Sequence, residues 1–213
     1  MNIEANIKSL KIWKNDISIE AIDGGLTNQN FLVTDGEKKY FARIGKDIEE
    51  HLIYRTNEIS ASKAASLAGI APKLIFAGEG IIIFEYIKST TYNSELVIQN
   101  LDKIIKLIKN IHVEIPNFIS GDPPLFWVFH VVKNYINFLK NNNSSYVNLL
   151  NELLDKSYEL NKLASPYDIV FCHNDFLPAN FIENNSKIWV VDWEYAGFNT
   201  SLFDLGGLAS NNN

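Results

Sequence analysis

"FCHNDFLPANFIENNSKIWVVDWEYAG", residues 171–197, decides how this chain is read. "DIVFC" (168–172) is a short apolar strand, "HNDFLPAN" (173–180) a loop, "FIE" (181–183) a second strand, "NNS" (184–186) a turn and "KIWVVDW" (187–193) a third strand. Asp175 and Asp192 therefore fall at strand ends. A loop acid, an asparagine five residues later, a hairpin and a second acid bring the oxygens of Asp175, Asn180 and Asp192 around one small volume. Carboxylate and amide oxygens are what Mg²⁺ selects, and Mg²⁺ commonly works with substrate phosphates. In phosphoryl transfer a loop Asp takes the acceptor's proton while a loop Asn and a later Asp hold the metal ions, and the stretch points to that chemistry. The plainer reading makes Asp175 and Asn180 turn caps and Asp192 a strand terminus, an ordinary use of these residues.

Working outward, 213 residues with 46% apolar and 12% aromatic content can bury one good core or two small ones, which argues against disorder. Nineteen Lys and Arg against 25 Asp and Glu leave a net charge of −6, which gives no basic footprint for nucleic acid or an anionic membrane. The aliphatic run "IIIF" (81–84) is far below the ~20 residues that span a bilayer, and no signal-peptide pattern is visible, so the cytoplasm is the expected compartment. Cys172 is the single cysteine and is expected to be a packed thiol.

The chain divides into two compositional halves, 1–87 and 88–213, of an α+β protein. "FLVT", "DGEK" and "KYFARI" make a hairpin around an Asp-Gly turn. The pattern predicts a helix over 49–68, stopped by Gly69 with Pro72 beyond, and then strands "KLIFAG" and "GIIIFEYI". From about residue 94 helices dominate: Val97, Leu101, Ile104, Ile105, Ile108 and Ile111 share one helical face, with Ser94 as N-cap. "GDPP" (121–124) precedes a helix around 125–140, and 144–163 supplies another.

"HNDFLPAN" followed by "VVDWEYAG" resembles the choline/ethanolamine kinase family and, more broadly, the aminoglycoside-phosphotransferase-like kinases, bacterial choline kinases looking nearest. The likeness runs from about Gly24 to the last residue. It implies a two-lobed protein-kinase-like fold: an antiparallel sheet plus one helix in 1–87, a mostly helical lobe with a small catalytic β-hairpin in 88–213, and Mg²⁺ and ATP in the cleft between. On that likeness Asp175 orients and deprotonates the acceptor hydroxyl, Asn180 and Asp192 bind Mg²⁺ on ATP, and His173 holds the loop by packing. "DGGLTNQNF" (23–31) matches the nucleotide loop, with Gly25, Thr27 and Asn28 at the phosphates, although a Gly-Gly pair alone reads as a turn. Arg43 takes the place of the strand cation on the α/β-phosphates, keeping charge with a bidentate fork. Glu58 is its expected ion-pair partner, ahead of Glu49 and Glu50. "FEYIKS" (84–89) is the lobe hinge, where the backbone of Glu85 and Ile87 meets adenine.

A quaternary ammonium prefers aromatic faces with a carboxylate nearby, so Trp193, Glu194 and Tyr195 are the acceptor-binding candidates. Glu194 leads, since a charged residue there has little reason to be buried unless it meets a cation; the two aromatics read equally well as core. Trp127 and Tyr135 are left as core residues, and Asp204 as a structural anchor. The expected reaction is ATP-dependent phosphorylation of choline to phosphocholine. Ethanolamine, thiamine or an aminoglycoside are acceptors of sister enzymes, and a non-catalytic nucleotide-binding remnant is the reading from another class. ATP and a small amino alcohol are the expected partners, with no nucleic acid and no membrane. Family members of this type continue several tens of residues past "FDLGGLAS", so the chain is expected to be C-terminally short, with apolar surface exposed where further helices would pack.

Overall fold

In the computed structural model, residues 3–23, 27–78, 80–164 and 167–212 are described. The Asp-Gly signal is realised between strands β2 (Gln29–Asp35) and β3 (Lys38–Ile44): Asp35 pairs with Lys38, and Gly36 turns the chain at φ 61°, a value that suits glycine at the first central position of a hairpin turn. Before this hairpin come helix α1 (Ile3–Ser9) and strand β1 (Ile17–Ile22); after it come helix α2 (Arg55–Leu67) and strands β4 (Leu74–Gly78) and β5 (Ile81–Glu85). The strands form one antiparallel sheet in the order β1-β2-β3-β5-β4. Period-2 alternation sends Phe31, Val33, Ala42, Ile81 and Ile83 to one face, where Ile7 of α1 covers them. The carboxylate of Asp35 ties the α1–β1 connection down, accepting from the backbone N–H of Lys14 and of Asn15, each at 2.9 Å.

The helix expected over 49–68 begins only at Arg55. Residues Glu49–His51 form a separate 3₁₀ turn, Leu52 closes it at φ 58°, and Ile48 bridges to Ile53, whose side chain is fully buried. A left-handed residue cannot continue a right-handed helix, so the periodic pattern is interrupted there. At the other end Gly69, at φ 70°, caps α2 as anticipated, and the N–H groups of Ile70 and Ala71 fold back onto the carbonyl of Ala65.

The second half contains strand β6 (Thr90–Thr91) and helices α3 (Ser94–Gln99), α4 (Leu101–Glu114), α5 (Val128–Asn141) and α6 (Leu150–Leu163). Strands β7 (Ile169–Cys172), β8 (Phe181–Asn184), β9 (Lys187–Val190) and β10 (Gly197–Thr200) and helix α7 (Ser201–Ser210) follow. The long helix expected from 94 breaks at Asn100, and its N-cap is Asn93 rather than Ser94: the Asn93 side chain accepts from the N–H of Leu96 at 2.9 Å. Of the expected stripe, Val97, Ile104, Ile108 and Ile111 enter the main core with Phe171, Phe176, Phe181 and Trp193, whereas Leu101 and Ile105 face outward. Helix α6 leaves Leu153, Tyr158, Leu160 and Leu163 exposed. Among the described residues no helix is long and apolar enough to cross a membrane.

The strands of the opening stretch divide between two sheets. β7 pairs with β10, a strand the sequence reading did not foresee, while β8 and β9 form a hairpin with β6 at its edge. Loop 173–180 thus crosses from the first small sheet to the second, and 191–196 crosses back beside it. The N–H of Val191 donates to Asn180 O, and His173 Nε2 donates to Val191 O, both at 3.0 Å. These parallel crossings are what bring Asp175 and Asp192 together.

The two backbone N–H donors and the Asn15 side chain hold the Asp35 carboxyl below the usual carboxylate range. A lowered pKa in the folded state contributes stability that is complete above the unfolded value of about 3.9 and lost as pH falls through the folded value. Asp35→Asn is therefore expected to melt below the parent at pH 7, with the gap in Tm closing in a thermal-melt series carried below pH 4.

Candidate active site

Strand β3 presents Arg43 to the cleft between the five-stranded sheet and the β8–β9 hairpin. Arg43 is 8% exposed, and its Nη1 donates both to Glu58 Oε1 of α2 at 3.0 Å and to Asp192 Oδ1 on the returning crossing at 2.5 Å. The other oxygen of Glu58 accepts from Arg55 Nη1 at 2.5 Å, and the same Nη1 reaches Glu194 Oε2 at 3.1 Å. Glu194 in turn accepts from Thr27 Oγ1 at 2.9 Å and Asn28 Nδ2 at 3.0 Å, both in the segment preceding β2. A continuous chain of charge and hydrogen bonds therefore runs from Thr27 to Asp192 and crosses the cleft three times.

On the far side, Asn180 Nδ2 donates to the backbone carbonyl of Asp175 at 2.8 Å and to its Oδ2 at 3.3 Å, which leaves the Asn180 side-chain oxygen as the acceptor. Burial, with the negative charges of Asp192 and Glu194, pushes the Asp175 carboxyl above the usual carboxylate range. Burial would do the same to Asp192, but the Arg43 guanidinium reverses it and holds Asp192 below that range. Arg43 is also buried, yet Asp192 and Glu58 raise its pKa and keep it charged.

The cleft, of about 280 Å³, is floored by Phe41, Phe84, Ile182 and Val190 and edged by Glu85, Tyr86 and Ile87; Arg43, Glu58 and Asp192 close one end. An apolar slot with charged groups at one end is the form of a site that takes a flat ring and a polar tail. Glu85 and Ile87 thus line this cleft, and Arg43 and Glu58 pair with each other. Glu49 and Glu50 sit apart in the 3₁₀ turn, exposed. Gly25 lies outside the described residues.

The three acceptor candidates stand in different surroundings. Glu194 is 5% exposed and does meet a cation, but that cation is Arg55 of the chain itself; its carboxylate is occupied by Arg55, Thr27 and Asn28. Trp193 is 1% exposed, donates Nε1–H to Val190 O at 3.1 Å and stands edge-on to His173, as a core residue does. Tyr195 remains half-buried beside the crossing, edge-to-face with Phe126. Burial and then the Glu194 charge push the Tyr195 hydroxyl upward, so it stays a donor.

The sequence matches the family model for choline/ethanolamine kinase over residues 19–209. The chain belongs to the choline/ethanolamine kinase family. Protein LicA of Haemophilus influenzae is 27% identical over 192 residues, covering 85% of this chain and 55% of that protein. Ethanolamine kinase 2 of Mus musculus is 28% identical, covering 91% of this chain and 53% of its own length, so the chain spans about half of each of these relatives. The crystal structure of choline kinase LicA from Streptococcus pneumoniae superposes with a TM-score of 0.79 at 27% identity, covering 99% of this chain and 73% of that one.

Within this family member, Arg55, Asn174 and Asn199 are structural participants that sequence reasoning missed. Arg55 stands three residues before Glu58 at the start of α2, a spacing that could have flagged it as a partner. Asn174 holds φ 67° while its Nδ2 donates to Tyr195 O at 2.9 Å and its Oδ1 accepts from Asn199 Nδ2 at 2.9 Å. Gly45 explains why the chain needs no side chain just after β3: a Cβ there would stand 2.4 Å from Asn28 Oδ1 and 2.6 Å from Arg55 Cζ. Removal of Glu58 would leave two buried guanidinium groups short of their shared counter-ion. Glu58→Ala is expected to cost about 3–5 kcal/mol in a urea titration. Lys156→Ala, which breaks the exposed Lys156–Glu159 pair, is expected to cost under about 0.5 kcal/mol.

Proposed function

We propose that this chain transfers the γ-phosphoryl group of ATP to the hydroxyl of a small amino alcohol, choline before ethanolamine. The observation that carries the reading is the juxtaposition of Asp175 with Asn180 and Asp192, the last of which lines the charged end of an apolar cleft and pairs with Arg43. Adenine enters between Phe41, Phe84 and Ile182 with its edge on the backbone of Glu85 and Ile87. Arg43 meets the phosphates; its Nε is buried with no hydrogen-bond partner, a donor that a phosphate oxygen would satisfy.

The donor set fits Mg²⁺. Asn180 and Asp192 offer hard oxygens, and Arg43 and Arg55 are outweighed by Glu58, Asp192, Glu194 and Asp175, an excess of negative charge suited to a divalent cation. Mg²⁺ held there supplies charge neutralisation at the phosphate oxygens. Asp175 accepts the proton of the acceptor hydroxyl as the new O–P bond forms. Its raised pKa brings it nearer to working pH, which suits a general base. Thr27 and Asn28, tethered through Glu194, hold the segment expected to cover the phosphates. For the acceptor, the excess negative charge attracts an ammonium group, and Tyr195 offers an aromatic face next to the chemistry. The ethanolamine reading is favoured by relatives that bear that name, such as the mouse enzyme.

Phosphorus NMR of the chain with Mg·ATP and either choline or ethanolamine tests the proposal. Phosphocholine is expected, with turnover falling by about 10²–10⁴-fold in Asp175→Ala. Faster turnover of ethanolamine would favour the second acceptor. Binding of Mg·ATP without product from any amino alcohol would overturn the catalytic reading in favour of a nucleotide-binding remnant.

A further inference from the structure

We propose that His112, on α4 and outside the cleft, is a positioning residue for the catalytic loop, acting through Asp204. The inference rests on the proposed phosphoryl transfer only for its kinetic readout. Asp204 of α7 is 1% exposed, and its carboxylate gathers N–H groups from three residues. Oδ1 accepts from Asn174 N at 2.8 Å; Oδ2 accepts from His173 N at 3.1 Å and from His112 Nε2 at 2.8 Å. A carboxylate oxygen facing these donors can only accept, so His112 carries its hydrogen on Nε2.

The three donors are not equivalent. His173 and Asn174 belong to the loop that the carboxylate steadies, and the residue after them is Asp175. His112 alone comes from a different body, the helix whose Ile104, Ile108 and Ile111 are fixed in the main core. The imidazole therefore references the carboxylate, and through it the loop, to the most rigid part of this half. Asn174 makes that reference matter. Its φ of 67° lies in the left-handed region, which a non-glycine residue keeps only when its surroundings impose it. Release of the carboxylate lets this turn relax and shifts Asp175, and a misplacement of about 1 Å at the chemistry is worth about 10²-fold in rate.

His112 Nε2, Cys172 Sγ and Asp204 Oδ2 all lie within 4.8 Å of one another, a spacing that a metal ion could also use. Hydrogen bonding accounts for the cluster instead. Both oxygens of Asp204 are taken by amides, and the Cys172 thiol donates to Thr200 O at 3.6 Å. Burial and then the Asp204 charge push that thiol upward, so it keeps its proton.

The test compares His112→Leu, which removes the donor, with His112→Gln, which extends an amide N–H toward the place of Nε2. Amide hydrogen exchange is followed by NMR beside steady-state kinetics. In His112→Leu the amides of His173 and Asn174 are expected to exchange at least about tenfold faster, while those of Ile104 and Ile108 in α4 stay within about twofold of the parent. The same variant should lose about 10–100-fold in kcat with KM for ATP and acceptor within about twofold of the parent. His112→Gln should recover both readouts to within about threefold. Parent-like protection of His173 and Asn174 in His112→Leu, equal acceleration throughout α4, or a glutamine variant as impaired as the leucine one would each overturn the proposal. Should the parent turn over no acceptor, the functional reading falls, and exchange at His173 and Asn174 still decides for or against His112.

Discussion

The carboxylate of Glu58, shared between two guanidinium groups, is the interaction on which the cleft depends. A buried charge is tolerated only when it is paired and hydrogen-bonded. Arg43 and Arg55 are both buried, and among the described residues the remaining ion pairs of their side chains lie across the cleft: Arg43 turns to Asp192 and Arg55 to Glu194. Glu58 thus fixes where the two cations stand, and these fix where the returning crossing must lie. Pairing of opposite charges, rather than apolar contact, joins the two halves at this point. Two further ties secure the same helix: Asn57 Nδ2 donates to Ala196 O at 2.8 Å, and Ser60 Oγ donates to Ser120 O at 2.6 Å.

On the opposite side loop 173–180 is held by packing and by amide chemistry. His173 is stacked on Phe176 and edge-on to Trp193, fully enclosed in the main core. The positive-φ backbone at Asn174 and Asp192 is a local cost of order 1–3 kcal/mol each, less for Asn and Asp, which visit this region more readily. At Asn174 the hydrogen bonds it donates to Tyr195 O and Asp204 Oδ1, and the one it accepts from Asn199 Nδ2, offset that cost. The site is thus strained where it is polar and relaxed where it is apolar, a division that lets the core keep its shape while the loops keep theirs.

Much of this was legible in the sequence, for identifiable reasons. Asp175, Asn180 and Asp192 stood out because their order and spacing have a chemical meaning independent of the fold around them. The Gly36 turn, the Gly69 stop and the Arg43–Glu58 pairing were readable because each depends on local signals or a single long-range partner. Illegible features were those decided by contacts far along the chain. Helix α2 starts late because Leu52 closes a turn, which no periodicity reveals. β10 was missed because "GFNT" has little strand character of its own and earns its place by pairing with β7. Glu194 was assigned to a substrate cation because Arg55, 139 residues away, could not be seen as its partner. The bond between His112 and Asp204, 92 residues apart, is hidden from the sequence for the same reason.

The return crossing from β9 to β10 occupies only residues 191–196, and Trp193, Glu194 and Ala196 within it are buried. In two-lobed kinases that are switched, the segment after the metal-binding acid is a long mobile loop whose reordering turns the site on. Here the segment after Asp192 is short and anchored by the buried Trp193, Glu194 and Ala196. The acids of the ionic ring are therefore carried by the same stretch that seats Trp193 in the main core, so whatever loosens that core also moves Asp192 and Glu194 away from Arg43 and Arg55.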